Sequence, residues 1–157
     1  MKKSDGPSVL EIYAYGLETR MATFETEIPT WAQLDQKWHK HSRFVYEQKG
    51  KVAGWVALIP VSNRDVYRGV AEVSIYVARG ALGKSIGSQL MPRVIQSSEQ
   101  NGIWTLYASM FPENIATVRL HQKNGFRKIG IREKIACLDG VWKDTLIMEK
   151  RSKTVGI

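Results

Sequence analysis

The feature that most constrains this chain is a change of hydrophobic period between Ala71 and Leu90. Ala71-Glu72-Val73-Ser74-Ile75-Tyr76-Val77 alternates as a strand does. After the glycine-bearing turn Arg79-Gly80-Ala81-Leu82-Gly83, the apolar residues Ile86, Leu90, Val94 and Ile95 recur at helical spacing. A strand that feeds a helix through so short a turn belongs to a mixed α/β layer, and the flanking patterns agree. The spacing predicts helices over about Pro7–Thr19 and Trp31–His41, then a hairpin of Phe44–Glu47 and Lys51–Ile59 around Lys49-Gly50. Beyond the central junction it predicts a strand over Ile103–Phe111 and a helix over Asn114–Lys123. A second hairpin follows, Phe126–Cys137 and Val141–Met148 around Asp139-Gly140. Pro92 falls inside the long helix and is expected to kink it.

At 157 residues, without repeats or linkers, this is the length of one domain spanning 1–157, with 151–157 read as a flexible tail. The single Cys137 excludes an internal disulfide. Only three histidines, His39, His41 and His121, are present and no C-x-x-C pair, so no metal site is expected. The basic start Met1-Lys2-Lys3 runs into Ser4-Asp5-Gly6-Pro7 rather than an apolar stretch, and Val52–Ile59 is too short to span a bilayer. The expectation is a cytoplasmic protein with no membrane partner. The net charge of +8 fits an anionic partner or simple solubility. Its basic residues are scattered rather than gathered beside aromatics, so no nucleic acid is expected.

The strand-to-helix junction also carries chemistry. Backbone N–H groups at a helix start have no internal partners and, with the helix dipole, form a seat for phosphate. Gly83 and Gly87 are the residues that let a ligand approach the backbone closely. Gly83-Lys84-Ser85 lacks the upstream glycine of a Walker loop, and no dinucleotide fingerprint is present.

Four ordered segments resemble the GNAT superfamily of acyl-CoA-dependent N-acetyltransferases: Ala71–Val77, Gly83–Leu90, Asn114–His121 and Asn124-Gly125-Phe126. Within it, Thr23–Glu27, Arg132-Glu133-Lys134 and Asp139–Asp144 are most similar to phosphinothricin and methionine sulfoximine N-acetyltransferases. The likeness runs from about Lys3 to Lys150. It implies a central, mostly antiparallel twisted sheet, splayed where the co-substrate binds and flanked by about four helices. Relatives start with a strand for which the residues before Asp5 leave little room, so the first strand is expected to be short or missing. The Phe44–Glu47 strand would then be an exposed edge.

The same likeness implies acetyl-CoA as co-substrate and no metal. Ile75, Tyr76 and Val77 would pair with the pantetheine arm, and Gly83, Lys84, Ser85, Ile86, Gly87 and Ser88 would hold the pyrophosphate. Asn114 would also bind the arm. The superfamily turn reads Arg or Gln, two residues, Gly, one residue, then Gly or Ala. Here Leu82 takes the first place and Ser85 that of the central glycine, and only Gly87 matches. Ser85 is compatible with the motif if its backbone angles are helical, and Lys84 supplies some of the missing charge.

Acetyl transfer needs a base, because a primary amine is protonated at neutral pH. Glu72 suits that role, since partial burial would raise its basicity. The competing reading is a solvated carboxylate or one paired to Arg64 or Arg68. The developing oxyanion needs donors, and strand N–H groups of Ile75–Val77 are the natural ones. His121, at the Leu-His position of the subfamily, is a candidate acid for the departing thiolate, with a packed histidine as the alternative and Tyr107 a weaker candidate. Arg64 is the candidate for an acceptor carboxylate, against the ordinary fate of an exposed loop arginine. Phe24, Glu27, Val73 and Ser74 complete the expected acceptor walls, while Trp31, Trp38, Trp55 and Trp104 are read as core. The expected partner is a small amine acceptor of amino-acid type. A polyamine, an aminoglycoside, a protein N-terminus or a non-catalytic CoA- or nucleic-acid-binding role is the alternative. A homodimer is possible, as relatives often form one.

Overall fold

The computed structural model describes residues 1–157. Its helices are α1 (Gly6–Glu18), α2 (Trp31–Lys37), α3 (Ile86–Gln100) and α4 (Ile115–Lys123). Its strands are β1 (Phe44–Gln48), β2 (Lys51–Pro60), β3 (Val70–Val77), β4 (Thr105–Met110), β5 (Arg127–Leu138) and β6 (Val141–Arg151). The sheet order is β1-β2-β3-β4-β6-β5, and every pairing is antiparallel except β3 with β4. Both hairpin turns place two consecutive residues at positive φ, Lys49-Gly50 and Asp139-Gly140, the conformation such two-residue turns require. Residues Lys3–Asp5 form a 3-10 turn and no strand precedes α1, so β1 is a sheet edge as expected.

Strand alternation splits the core into two layers. Ala71 and Val73 of β3 join Val56, Leu58, Leu106, Ala108, Leu146 and Met148 beneath α3 and α4, in an aliphatic cluster of 18 buried residues. The opposite layer, under α1 and α2, is smaller and aromatic: Trp55 lies at its centre with Trp38 at 5.0 Å and Tyr76 stacked at 4.8 Å. Of the four tryptophans read as core, Trp38 and Trp55 are buried, Trp31 packs at the rim, and Trp104 is half-buried under Arg68.

Two expectations need correction. The second helix stops at Lys37 instead of His41, because Trp38 is already extended and the His39 N–H donates to the Leu58 C=O, tying the chain to β2. The residues after Arg151 are not a loose tail. The Arg151 guanidinium donates to the carbonyls of Trp104, Ser152, Val155 and Gly156, and the Ser152 hydroxyl donates to Glu99 at 2.7 Å.

The β5–β6 hairpin is the least covered part of the molecule. Ile129, Ile131, Ile135, Val141 and Trp142 are all exposed. Cys137, opposite Trp142 in the register, is a free and exposed thiol. No helix is long and apolar enough to cross a membrane.

Candidate active site

The register of the one parallel pair creates the site. β3 and β4 pair only through Val70↔Thr105, Ala71↔Leu106 and Glu72↔Tyr107. Beyond that point β3 runs on to Val77 with β2 alone, so one edge of Val73–Val77 is left without a strand partner. A cavity of about 340 Å³ opens along this splay. Its walls come from β3 (Glu72 to Tyr76), the end of β4 (Ala108 to Phe111), α4 (Asn114, Thr117, His121) and the loop after α1 (Met21 to Glu25), with Lys37 of α2. Phe24 closes that loop onto the barrel of the site by an edge contact with Phe111, ring centroids 4.9 Å apart.

Glu72 sits at the last paired position, half-buried, where the two strands part. Burial pushes its carboxyl above the ordinary range, and the charges of Lys37 and Arg132 offset part of that rise. It forms no ion pair with Arg64 or Arg68: the latter bonds Asp65 at 3.0 Å, and Arg64 lies over the Tyr67 ring at 5.4 Å. Alternation puts Glu72, Ser74 and Tyr76 on the α1–α2 side of the sheet, and the N–H and C=O groups of the free strand edge point across the splay. Burial likewise raises the Tyr13 phenol and, much more strongly, the Tyr76 phenol, so both rings act here as neutral walls.

The turn before α3 has an uncommon backbone. Gly83 is left-handed with φ 74°, and so is Ser85 with φ 59° and ψ 19°. Ser85 thus does not meet the condition of helical angles: a side chain occupies a conformation that favours glycine. The first bond of the helix runs from the Gln89 N–H to the Ser85 C=O, which leaves the N–H groups of Ile86, Gly87 and Ser88 ahead of the helical ladder. Gly87 also has a packing reason to be small. A Cβ there would meet Leu120 Cδ2 at 2.9 Å, so the glycine lets α3 close on α4. Lys84 folds back to donate to the Gly80 carbonyl at 2.8 Å.

Five further candidate residues stand in distinct surroundings. The Asn114 side chain is engaged on both sides, accepting from the Thr117 N–H as the α4 cap and donating to the Met21 carbonyl at 3.0 Å. It fixes the α1 loop against α4. His121 is buried, and its Nδ1 lies 2.8 Å from the Thr117 carbonyl, which can only accept, so Nδ1 carries the proton. Burial lowers its basicity and keeps the ring neutral, leaving Nε2 a bare lone pair without a partner in a residue that lines the cavity. With its proton on Nδ1, the ring presents Nε2 as an acceptor. Tyr107 does not line the cavity, Arg64 stands outside it on the surface, and Glu27 lines a smaller neighbouring one.

Sequence reasoning missed Lys37, Tyr13 and Thr145. Tyr13 has only an ordinary helical-core spacing, and Lys37 only the look of a solvated last-turn lysine. Thr145 is buried in the wall with its hydroxyl unpartnered, at a strand position that carries no local signal.

The comparisons with known proteins follow this geometry. The model of the acetyltransferase (GNAT) family matches residues 13–126. YwnH of Bacillus subtilis (strain 168), provisionally named a phosphinothricin acetyltransferase, is 33% identical over 150 residues, covering 92% of this chain and 91% of its own. An L-methionine sulfoximine/L-methionine sulfone acetyltransferase of Salmonella typhimurium is 26% identical, covering 94% and 89% of the two chains. The crystal structure of a phosphinothricin acetyltransferase from Sinorhizobium meliloti in complex with AcCoA superposes with a TM-score of 0.87 at 24% identity, over 99% of this chain and 92% of that one.

Proposed function

This chain belongs to the acetyltransferase (GNAT) family and is an acetyl-CoA-dependent N-acetyltransferase, and from that premise we propose that it acetylates the α-amine of a small amino-acid-like acceptor with Glu72 as general base. The observation that carries the reading is the place of Glu72: the last strand-paired residue before the splay, half-buried, with its basicity raised by burial, facing the cavity. A base whose proton affinity is lifted toward neutrality is better matched to an ammonium it must deprotonate.

The residues present suit acetyl-CoA. The unpaired edge of Val73–Val77 offers backbone donors and acceptors to an extended amide-bearing arm, in the manner of an added strand. The Gly83–Ser88 turn offers free N–H groups to a pyrophosphate. When bound, the co-substrate supplies a thioester carbonyl as electrophile.

Glu72 removes the proton from the acceptor amine, whose nitrogen then bonds to the carbonyl carbon as the carbon–sulfur bond breaks. The oxygen that gains charge is met by strand N–H groups of Ile75–Val77, and the thiolate leaves as the thiol, taking by way of water the second proton that the acylated nitrogen sheds. His121 Nε2 is left as an unpartnered acceptor in the wall, not as the acid. Phe24, Val73 and Ser74 line the acceptor side. The test is turnover with acetyl-CoA across phosphinothricin, methionine sulfoximine, methionine sulfone and simple amines, wild type against Glu72→Gln. Turnover of the amino-acid analogues and its collapse in the variant, with acetyl-CoA binding intact, is the expected result. Unchanged turnover in Glu72→Gln removes that residue from the chemistry.

A further inference from the structure

Lys37 is the sole lysine or arginine lining either of two adjoining cavities. One is the splay cavity, with Glu72. The other, of about 160 Å³, is bounded by Tyr13, Glu25, Glu27, Pro29, Gln33 and Leu34, and Lys37 stands at the junction. Its ammonium takes part in none of the six ion pairs of the molecule. The backbone beneath it is fixed. Thr30 and Gln33 close a reciprocal cap at the start of α2, Leu34 and Trp38 are buried on either side of Lys37 in sequence, and the Trp38 N–H bonds the Leu34 carbonyl. A free cation on a fixed stem, beside the base, is a site for an acid group.

We propose that Lys37 is the residue that holds the carboxylate of the acceptor, the role sequence reasoning assigns to Arg64. This rests on the amino-acid acceptor proposed above. If the acceptor carries an acid beside its amine, no other cationic side chain lines the space in which the amine must meet Glu72. Glu27 lines only the smaller cavity, where it repels an acid and so favours the Glu72 side of Lys37. Amine and carboxylate on one carbon then bridge Glu72 and Lys37, opposite charges meeting in alternation. The same arrangement couples binding to basicity. In the free protein the Lys37 charge restrains the proton affinity of Glu72, and more so than Arg132 does. An acceptor carboxylate that neutralises Lys37 relaxes this restraint at the moment the base is needed.

The experiment measures Lys37→Met and Arg132→Met in the full chain, with L-methionine sulfone, its carboxamide and the corresponding amine lacking the carboxyl group. Loss of a charge-assisted contact predicts a rise of about 10- to 100-fold in KM for L-methionine sulfone in Lys37→Met, with the two uncharged analogues little changed. Arg132→Met should keep the wild-type preference. The acid limb of the kcat/KM profile in Lys37→Met should move to higher pH, a shift that loss of packing would not produce. An unchanged acetyl-CoA thermal shift verifies the fold of each variant. Equal losses for all three acceptors, or loss of discrimination in Arg132→Met instead, overturn the assignment of Lys37. Wild-type turnover of plain amines with none of amino acids would instead overturn the acceptor reading itself, and this inference with it.

Discussion

The two sides of the splay are built from different materials. On the α3–α4 side, the groups suited to acetyl-CoA are backbone: a free strand edge over Val73–Val77 and a turn with two left-handed residues before α3. On the α1–α2 side, the groups suited to an acceptor are side chains: Glu72, Lys37, Tyr76 and Phe24. A site made of backbone tolerates changes of residue as long as the chain path survives, and the turn here forms with Leu82 and Ser85 in it. A site made of side chains has no such tolerance. Substitutions on the acceptor side should therefore change chemistry, and those on the other side should change affinity or stability by smaller amounts.

The largest expected effect is on the side-chain half. Glu72→Gln should lower kcat by about 10²- to 10⁴-fold, the usual worth of a positioned base. The same change should raise the melting temperature at neutral pH. A carboxyl whose folded pKa is raised above its unfolded value costs stability above that folded pKa and recovers it as pH falls, so removing the charge removes the cost. A melting temperature that falls in Glu72→Gln would contradict this burial argument.

Gly16→Ala probes the aromatic layer behind the base. Its Cβ would stand 2.5 Å from the Tyr76 ring, which is stacked on Trp55, so the ring must move. Denaturant unfolding should show a loss of about 1–3 kcal/mol, with a weakened acceptor KM because Tyr76 lines the cavity. Retention of both values would show that this layer yields without consequence.

Acid should also weaken the α2–β1 junction. The rings of His39 and His41 lie 4.8 Å apart, and burial holds both below the ordinary histidine value of 6.5, with the His41 charge adding to the effect on His39. A depressed histidine contributes stability in full above about pH 6.5, and that contribution is lost as pH falls toward the folded value. Melting temperature measured against pH should drop below 6.5, and less steeply in a His39→Gln, His41→Gln double variant. Parallel curves would remove these two rings from the account.

The smallest effect belongs to the backbone half. Ser85→Gly relieves a left-handed side chain and should stabilise the fold by no more than about 1 kcal/mol, with a modest tightening of acetyl-CoA binding by calorimetry. A large change in kcat from this variant would erase the distinction between the two sides.

The same distinction explains what was legible in the sequence. Alternation in Ala71–Val77, the paired turns Lys49-Gly50 and Asp139-Gly140, and the Asn114 cap are local signals, and each element stands where they place it. The place of Glu72 in the cavity wall was legible from its position at the start of that strand. The point where β3 and β4 part is set by the register of strands more than 30 residues apart, which no local window contains. Arg64 and Lys37 are indistinguishable as charged residues near predicted element ends. Only the way α2 lies over the sheet decides that one lines the cavity while the other stacks on Tyr67. The end of α2 was misplaced for a similar reason, since a bond from His39 to distant Leu58 outweighs the helical spacing of its neighbours.

The lone thiol of Cys137 bears on how this reaction is followed. Acetyl transfer liberates one thiol per turnover, and a disulfide reagent that counts it will also count one exposed cysteine per polypeptide. Cys137→Ser gives a silent background for such an assay. The unaltered thiol, on the least covered hairpin, gives a single attachment point for a fluorophore to watch that arm while acetyl-CoA binds.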